Sequence, residues 1–222
     1  MRLAETGELR RPARRAGDDV DVVVPEGTAP PGRIPPDIFA AAAEAYAAGG
    51  RLDMQRLARR LGVGRATLYR RAGNREELLD EVLWWRARRL LAEQVLATGR
   101  LSGVARITAV TAGVLTSIER DRRLRAFLES DPEAALRILT GTRSTVQRGM
   151  ASALEHLIEL ERERGSFTAD LDTPTLAYAI VRICEAFLYA DVIADRARDI
   201  GRAVTIIEAL LAGLDLGPRE TD

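Results

Sequence analysis

From Pro36 onward the apolar positions recur every three or four residues, and no stretch alternates apolar with polar convincingly enough for a strand. The chain therefore reads as all-α. Pro35-Pro36-Asp37 opens a helix whose Ile38, Ala41, Ala42 and Ala45 share one face, and Gly49-Gly50 closes it. Asn74 with Glu77 three residues later is a capping box, which predicts a long helix through Trp84 and Trp85 to about Thr98. Further helices are predicted over Leu101 to Glu119 and Arg122 to Glu129. Asp131-Pro132 should start one long helix reaching about Arg164, Thr173-Pro174 another, and Asp199 to Leu211 the last. Before Pro36 the prolines and glycines of Met1 to Arg33 break any period. The one apolar patch there, Val20 to Val24, is ended by Pro25, so this leader is expected to be disordered. The predicted organisation is a leader over 1–33, a small helical module over 34–80 and a larger helical domain over 81–216.

Within the small module, Leu57 to Tyr69 reads as two short helices joined by a tight turn. Leu57, Ala58 and Leu61 make the inner face of the first, and Gly62 ends it, because glycine takes the left-handed conformation at little cost. Val63 should point into the core under the turn and Leu68 inward from the second helix. Arg65, Ala66, Thr67, Tyr69 and Arg70 are then left on the outside. A helix-turn-helix lays such a second helix in the major groove of duplex DNA. Arginine can fork onto guanine or phosphate, the hydroxyls of threonine and tyrosine reach phosphate oxygens, and a small Ala66 lets the helix sit deep. We assign base reading to Arg65 and Thr67, and backbone positioning to Tyr69 and to Arg75 just beyond.

Charge sharpens this picture. The chain as a whole is neutral, with 33 basic and 33 acidic residues, which excludes a protein that coats nucleic acid indiscriminately. From Arg51 to Arg75, however, eight arginines face Asp53 alone, whereas from Glu76 to the end 19 arginines face 24 acids. A basic module on a mildly acidic body holds DNA by one face and in a salt-dependent way. The leader cluster Arg10-Arg11-Pro12-Ala13-Arg14-Arg15 fits either a minor-groove arm or a solvated tail.

The second informative region is Leu176 to Ala194, where Ile180, Val181, Ile183, Phe187, Leu188, Val192 and Ile193 fall on almost every face. A helix apolar all round is expected to be buried all round. With the last helix, whose Ile207 is taken as outward-facing, it could form half of a four-helix bundle with a second copy. Tyr178, Arg182, Glu185 and Tyr189, spaced four, three and four apart, should share one stripe of that helix. Arg182 and Glu185 are placed to pair. Two readings stand: the stripe lines a ligand pocket, or it is a polar seam in a dimer interface. Trp84 and Phe127 are further candidate pocket walls, although both also suit a core. Trp84 and Trp85 point about 100° apart, so one should pack at the junction between domains.

The motif spacing resembles the TetR family of one-component bacterial transcriptional regulators. Leu57-Ala58, Gly62-Val63-Gly64, Thr67-Leu68-Tyr69 and Arg75-Glu76-Glu77-Leu78 carry the resemblance. The chain departs from the family pattern at Gly64, where a capping serine is usual, at Ala66 for a frequent glycine, and at Arg71-Ala72 for a His/Tyr-Phe pair. The resemblance implies a homodimer formed through the last two long helices, and a double-stranded pseudo-palindromic operator with half-sites about 34 Å apart. It also implies a small-molecule effector of the larger domain. Arg182, Glu185, Phe187, Tyr189 and Asp191 are further similar to the QsdR subgroup, linked to breakdown of lactone signals, which implies a lactone or acyl compound.

An enzyme is the main rival class, and the residues count against it. His156 is the only histidine, and Cys184 lies in an apolar helix without a basic partner. No phosphate loop or metal-ligand spacing is present, so neither cofactor nor metal is expected. The single cysteine and the brevity of the longest uncharged run, Ile107 to Ile118, predict a cytoplasmic protein without a membrane span. The expected function is ligand-released repression of transcription. A ligand-independent architectural protein, which differs by having no effector, is the alternative.

Overall fold

The computed structural model describes residues 16–25, 29–49 and 52–215, and all regular elements among them are helices. The head consists of α2 (Pro36–Gly49), α3 (Met54–Arg60) and α4 (Arg65–Ala72). Asp53, the one acid of the basic module, is the N-cap of α3, accepting from the amides of Gln55 at 2.8 Å and Arg56 at 3.0 Å. These two amides hold its carboxyl below the usual range. Gly62 turns the chain with φ +65°, in the left-handed region where a side chain would be strained. Ile38, Phe39, Leu57, Ala58, Leu68 and Ala72 are buried, so α3 and α4 are clamped through the faces their spacing predicts.

The long helix α5 (Arg75–Ala97) begins with the expected capping box: Asn74 Oδ1 accepts from Glu77 N at 2.9 Å, and Asn74 N donates to Glu77 Oε2 at 3.0 Å. It packs against α2 at its start, and farther along against α6 (Gly103–Glu119) and α9 (Thr145–Glu163). Trp84 is buried against α9 at Gly149, where a Cβ would lie 2.4 Å from the indole ring, so only glycine permits this approach. Between α6 and α9 come α7 (Arg122–Ser130) and α8 (Pro132–Thr140). The remainder is α10 (Thr173–Leu188), α11 (Ala190–Ala194) and α12 (Ile200–Leu214), with α10 packed on α9 and α12 on α6.

Four expectations are corrected. The long helix predicted from Asp131 to Arg164 is two, α8 and α9. Gly141 is extended, and Ser144 starts a new helix by accepting from Gln147 N at 3.1 Å. Asp80 of α5 reinforces the break, accepting from Thr145 N at 2.7 Å and Val146 N at 3.2 Å, so two carboxylate oxygens answer the orphan donors of α9. The helix through Leu176 is not buried all round, since Tyr178 is 53% and Ile193 56% exposed. Nor does Ile207 face outward: it is fully buried within one chain, and its neighbour Ile206 is exposed.

The fourth correction concerns the leader. Residues from Ala16 form helix α1 (Ala16–Val23), packed between α5 and α9; the basic cluster Arg10 to Arg15 lies outside the described residues. Eight residues make a poor helix alone, and tertiary contact decides the matter. Val23 and Val24 are buried, and Asp19 meets Arg106 of α6 at 2.8 Å and Arg164 at 2.5 Å. Arg106 has no exposed surface and also donates to Glu161 at 2.9 Å, and Arg164 reaches the same carboxylate at 3.1 Å. Glu161 further accepts from Gly103 N at 2.6 Å and the Ser166 hydroxyl at 2.7 Å. Two guanidinium groups and two carboxylates thus balance in the interior, where an unmatched charge would be severely penalised. Asp19→Ala is expected to lower the unfolding free energy by about 3 to 5 kcal/mol in denaturant titrations, while Asp21→Ala on the exposed side of the same helix changes it by less than about 0.5 kcal/mol.

Candidate nucleic-acid interface and internal cavity

The second helix of the turn, α4, presents Arg65, Ala66, Tyr69 and Arg70 to solvent, with Thr67 half-buried beside them. Leu68 and Ala72 face the core. Gly64 is its N-cap and makes no side-chain cap bond, so the first amides of α4 are left to be answered from outside. Arg59 and Arg71 extend the exposed basic surface on either side. This is the surface a major groove would receive: small at Ala66, hydroxylated at Thr67 and Tyr69, and cationic around both.

Arg75 does not join it. Its side chain turns inward, donating from Nε to the Leu52 carbonyl at 2.9 Å and from Nη1 to Asp131 Oδ2 at 3.3 Å, with its guanidinium 5.9 Å from the centre of the Phe127 ring. Arg75 and Phe127 are therefore parts of the joint between head and body. Arg137 forks onto Glu76 at 3.0 and 3.1 Å in the same joint, and Arg123 donates to the Ala47 carbonyl of α2. Of the two tryptophans, Trp85 packs at the junction, edge-on to Phe39 with ring centres 5.5 Å apart.

Above this joint lies a cavity of about 480 Å³, a volume that suits a small organic molecule. Helices α5, α6, α9 and α10 enclose it with Leu90, Val110, Val114, Leu154, Ile180 and Leu188; Val23 of α1 and Tyr46 of α2 complete the wall. Its polar groups include Glu185, Tyr189, Gln147 and the Arg86–Asp121 pair, whose N–O distance is 2.9 Å. Burial raises the Glu185 carboxyl to about 7, against the pull of Arg182, which donates to it at 2.6 Å. Burial also pushes the Cys184 thiol, which borders the cavity, up to about 12.

The stripe of four polar residues is thereby divided. Glu185 and Tyr189 border the cavity, while Tyr178 and Arg182 stand on the outer surface and Trp84 and Phe127 are packed elsewhere. The stripe runs from the exposed start of α10 to its buried end, and Tyr189 leaves the helix as its C-cap, which turns it into the interior. Gln147, Val23 and Tyr46 are wall residues not named as pocket candidates from the sequence, and Trp85 borders the space as well. Tyr46 had a readable signal, because it lies on the apolar face of α2 with Ile38 and Ala42. Among the described residues no helix is long and apolar enough to cross a membrane, and no cluster of three or more metal-ligating side chains forms.

Residues 38–82 match the profile of a family described as bacterial regulatory proteins, tetR family, and residues 102–212 match that of the tetracyclin repressor-like C-terminal domain. The chain belongs to the TetR family. It is a DNA-binding transcriptional regulator. Among solved structures this TetR-family chain is similar to the R. erythropolis transcriptional repressor QsdR from the TetR family, with 33% identity over 83% of this chain and 95% of that one, and a TM-score of 0.71. Among curated proteins none matches. Helix α1 lies outside both matched profiles.

For the TetR-family head, Arg65→Ala is expected to change base preference across a panel of operator variants by about 1 to 3 kcal/mol for a lost bidentate contact, and Thr67→Ala by less, since a single hydroxyl is lost. Tyr69→Ala should weaken all duplexes alike. Arg75→Ala should leave the slope of log affinity against log salt unchanged and instead lower unfolding stability by about 1 to 3 kcal/mol. A slope reduced by about one would return Arg75 to the phosphate backbone. In the body, the folded state keeps a proton on Glu185 that the unfolded chain releases, so stability should fall as pH rises from the ordinary 4.5 through about 7. Glu185→Gln should flatten that part of the profile and melt higher than the parent above it, as thermal melts on both sides of the window would show.

Proposed function

We propose that this TetR-family regulator is a homodimeric repressor, released from a pseudo-palindromic operator when a small, largely apolar molecule occupies the cavity. The observation that carries the reading is that one cavity is walled at once by the body helices, by α5 and by Tyr46 of the DNA-binding head. A ligand there touches both parts of the chain, and it shifts the head by as much as it binds one setting better than the other. Exposed Tyr178, Ile193 and Ile206 on the last three helices support dimerisation, because a second copy would cover them in a four-helix bundle. Repression is supported by the similarity to QsdR, a transcriptional repressor. A lactone or acyl effector fits the apolar walls and the similarity to QsdR, and the regulator works in the cytoplasm, where its operator is. We read the cavity as a binding site and not a catalytic one: Cys184 remains a thiol at neutral pH, and His156 does not border the space.

The parent chain should sediment as a dimer, and Ile206→Glu combined with Tyr178→Glu should give folded monomers that no longer shift operator DNA. A stable parent monomer would overturn the assembly. Met150 of α9 also borders the cavity, so acyl esters and lactones of graded chain length should release the operator from the parent and not from Met150→Trp, whose larger side chain fills the space. Equal release from both would place the effector elsewhere.

A further inference from the structure

Tyr46 belongs to α2 of the head, yet its ring borders the cavity of the body and has no exposed surface. Its hydroxyl is buried and makes no hydrogen bond among the described residues. Such a group is costly unless something completes it. The charges around it are already matched. Arg86 lies 5.5 Å from the Tyr46 ring centre and is paired with Asp121 at 2.9 Å, while Glu185 is paired with Arg182 at 2.6 Å. Tyr189 lies close enough to feel both Glu185 and Tyr46. An anionic head group at this end would meet the Asp121 carboxylate, and a cationic one would meet Arg86. A neutral oxygen meets neither penalty and answers the hydroxyl, and the apolar walls accept an aliphatic chain.

We propose that the cavity takes a neutral aliphatic molecule, such as an ester, lactone or alcohol, whose oxygen hydrogen-bonds the Tyr46 hydroxyl, so that the effector binds the DNA-binding head directly. This rests on reading the cavity as the effector site. The bond exists only in the setting of α2 that brings Tyr46 to the cavity wall, so the contact itself is the differential binding that selects one position of the head.

Four probes of ten carbons each separate the possibilities: δ-decanolactone, decan-1-ol, decanoate and decylammonium. Binding is read by the fluorescence of Trp85, which borders the cavity, with Trp84 beside it. The lactone and the alcohol should bind at least about tenfold more tightly than the two ions. Tyr46→Phe should bind the lactone about three- to tenfold more weakly, with an unchanged or higher melting temperature, because the deleted hydroxyl had no partner in the free protein. Met150→Trp, checked by circular dichroism to be folded, should bind no probe. Equal lactone affinity for parent and Tyr46→Phe, with binding lost in Met150→Trp, overturns the contact with Tyr46 and leaves the cavity as the effector site. Unchanged binding in Met150→Trp overturns both. Tighter binding of either ion, or failure of the lactone and the alcohol to bind, overturns the neutral head group.

Discussion

Arg106 has no exposed surface, and the rest of the regulatory body is arranged so that its charge is matched. A guanidinium group buried this deeply needs two things, a balancing charge and acceptors for its donors. Both come from elements far apart in sequence: Asp19 from α1, Glu161 from α9, with the Val95 carbonyl of α5 at 3.5 Å. The interaction is therefore less a source of net stability than a specification of which helices lie beside which. With α1 set by Asp19, Val23 four residues on is held as part of the cavity wall. The shape of the cavity thus depends on a charge network that does not touch it.

A second constraint acts along α5. One helix of 23 residues, roughly 35 Å long, begins at the head and ends in the body. Asp80 caps α9 near its start, Trp85 packs on Phe39 in its middle, and Val95 meets the ion network near its end. Because each attachment is short-range and directional, α5 moves only if several are exchanged together. Packed interfaces of this kind have a few discrete settings and do not deform continuously. That is the property a switch requires.

How much of this was legible follows from what each feature depends on. The helix-turn-helix was readable because Leu57, Ala58, Gly62 and Leu68 are set by local geometry, and so was the capping box at Asn74. The break at Gly141 was missed because it rests on Asp80, a carboxylate supplied from 65 residues away at Thr145. Helix α1 was missed for the same reason: its local signal is weak, and the partners of Asp19 are 87 and 145 residues distant. Arg75 looked like a phosphate contact because it belongs to the basic run by sequence, whereas its neighbours in space are a carbonyl, a carboxylate and the Phe127 ring. In the cavity the helical period put Glu185 on the right face, but periodicity cannot tell the exposed end of a stripe from its buried end, and so Tyr178 and Arg182 were grouped with it.

The place of the cavity bears on how far a local contact can reach. Tyr46 sits on α2, α2 packs on α3, and α3 packs on α4, through a core that includes Ile38, Leu57 and Leu68. These small helices share one close-packed interior, so a displacement of α2 is carried to α4 as a rigid-body motion and not absorbed along the way. In a dimer the two copies of α4 must meet successive major-groove faces about 34 Å apart, and a tilt at each joint is added at the recognition helices. The contact proposed for Tyr46 would thus act at the hinge end of a lever, where a sub-ångström preference for one setting would become a mismatch with the spacing of two operator half-sites.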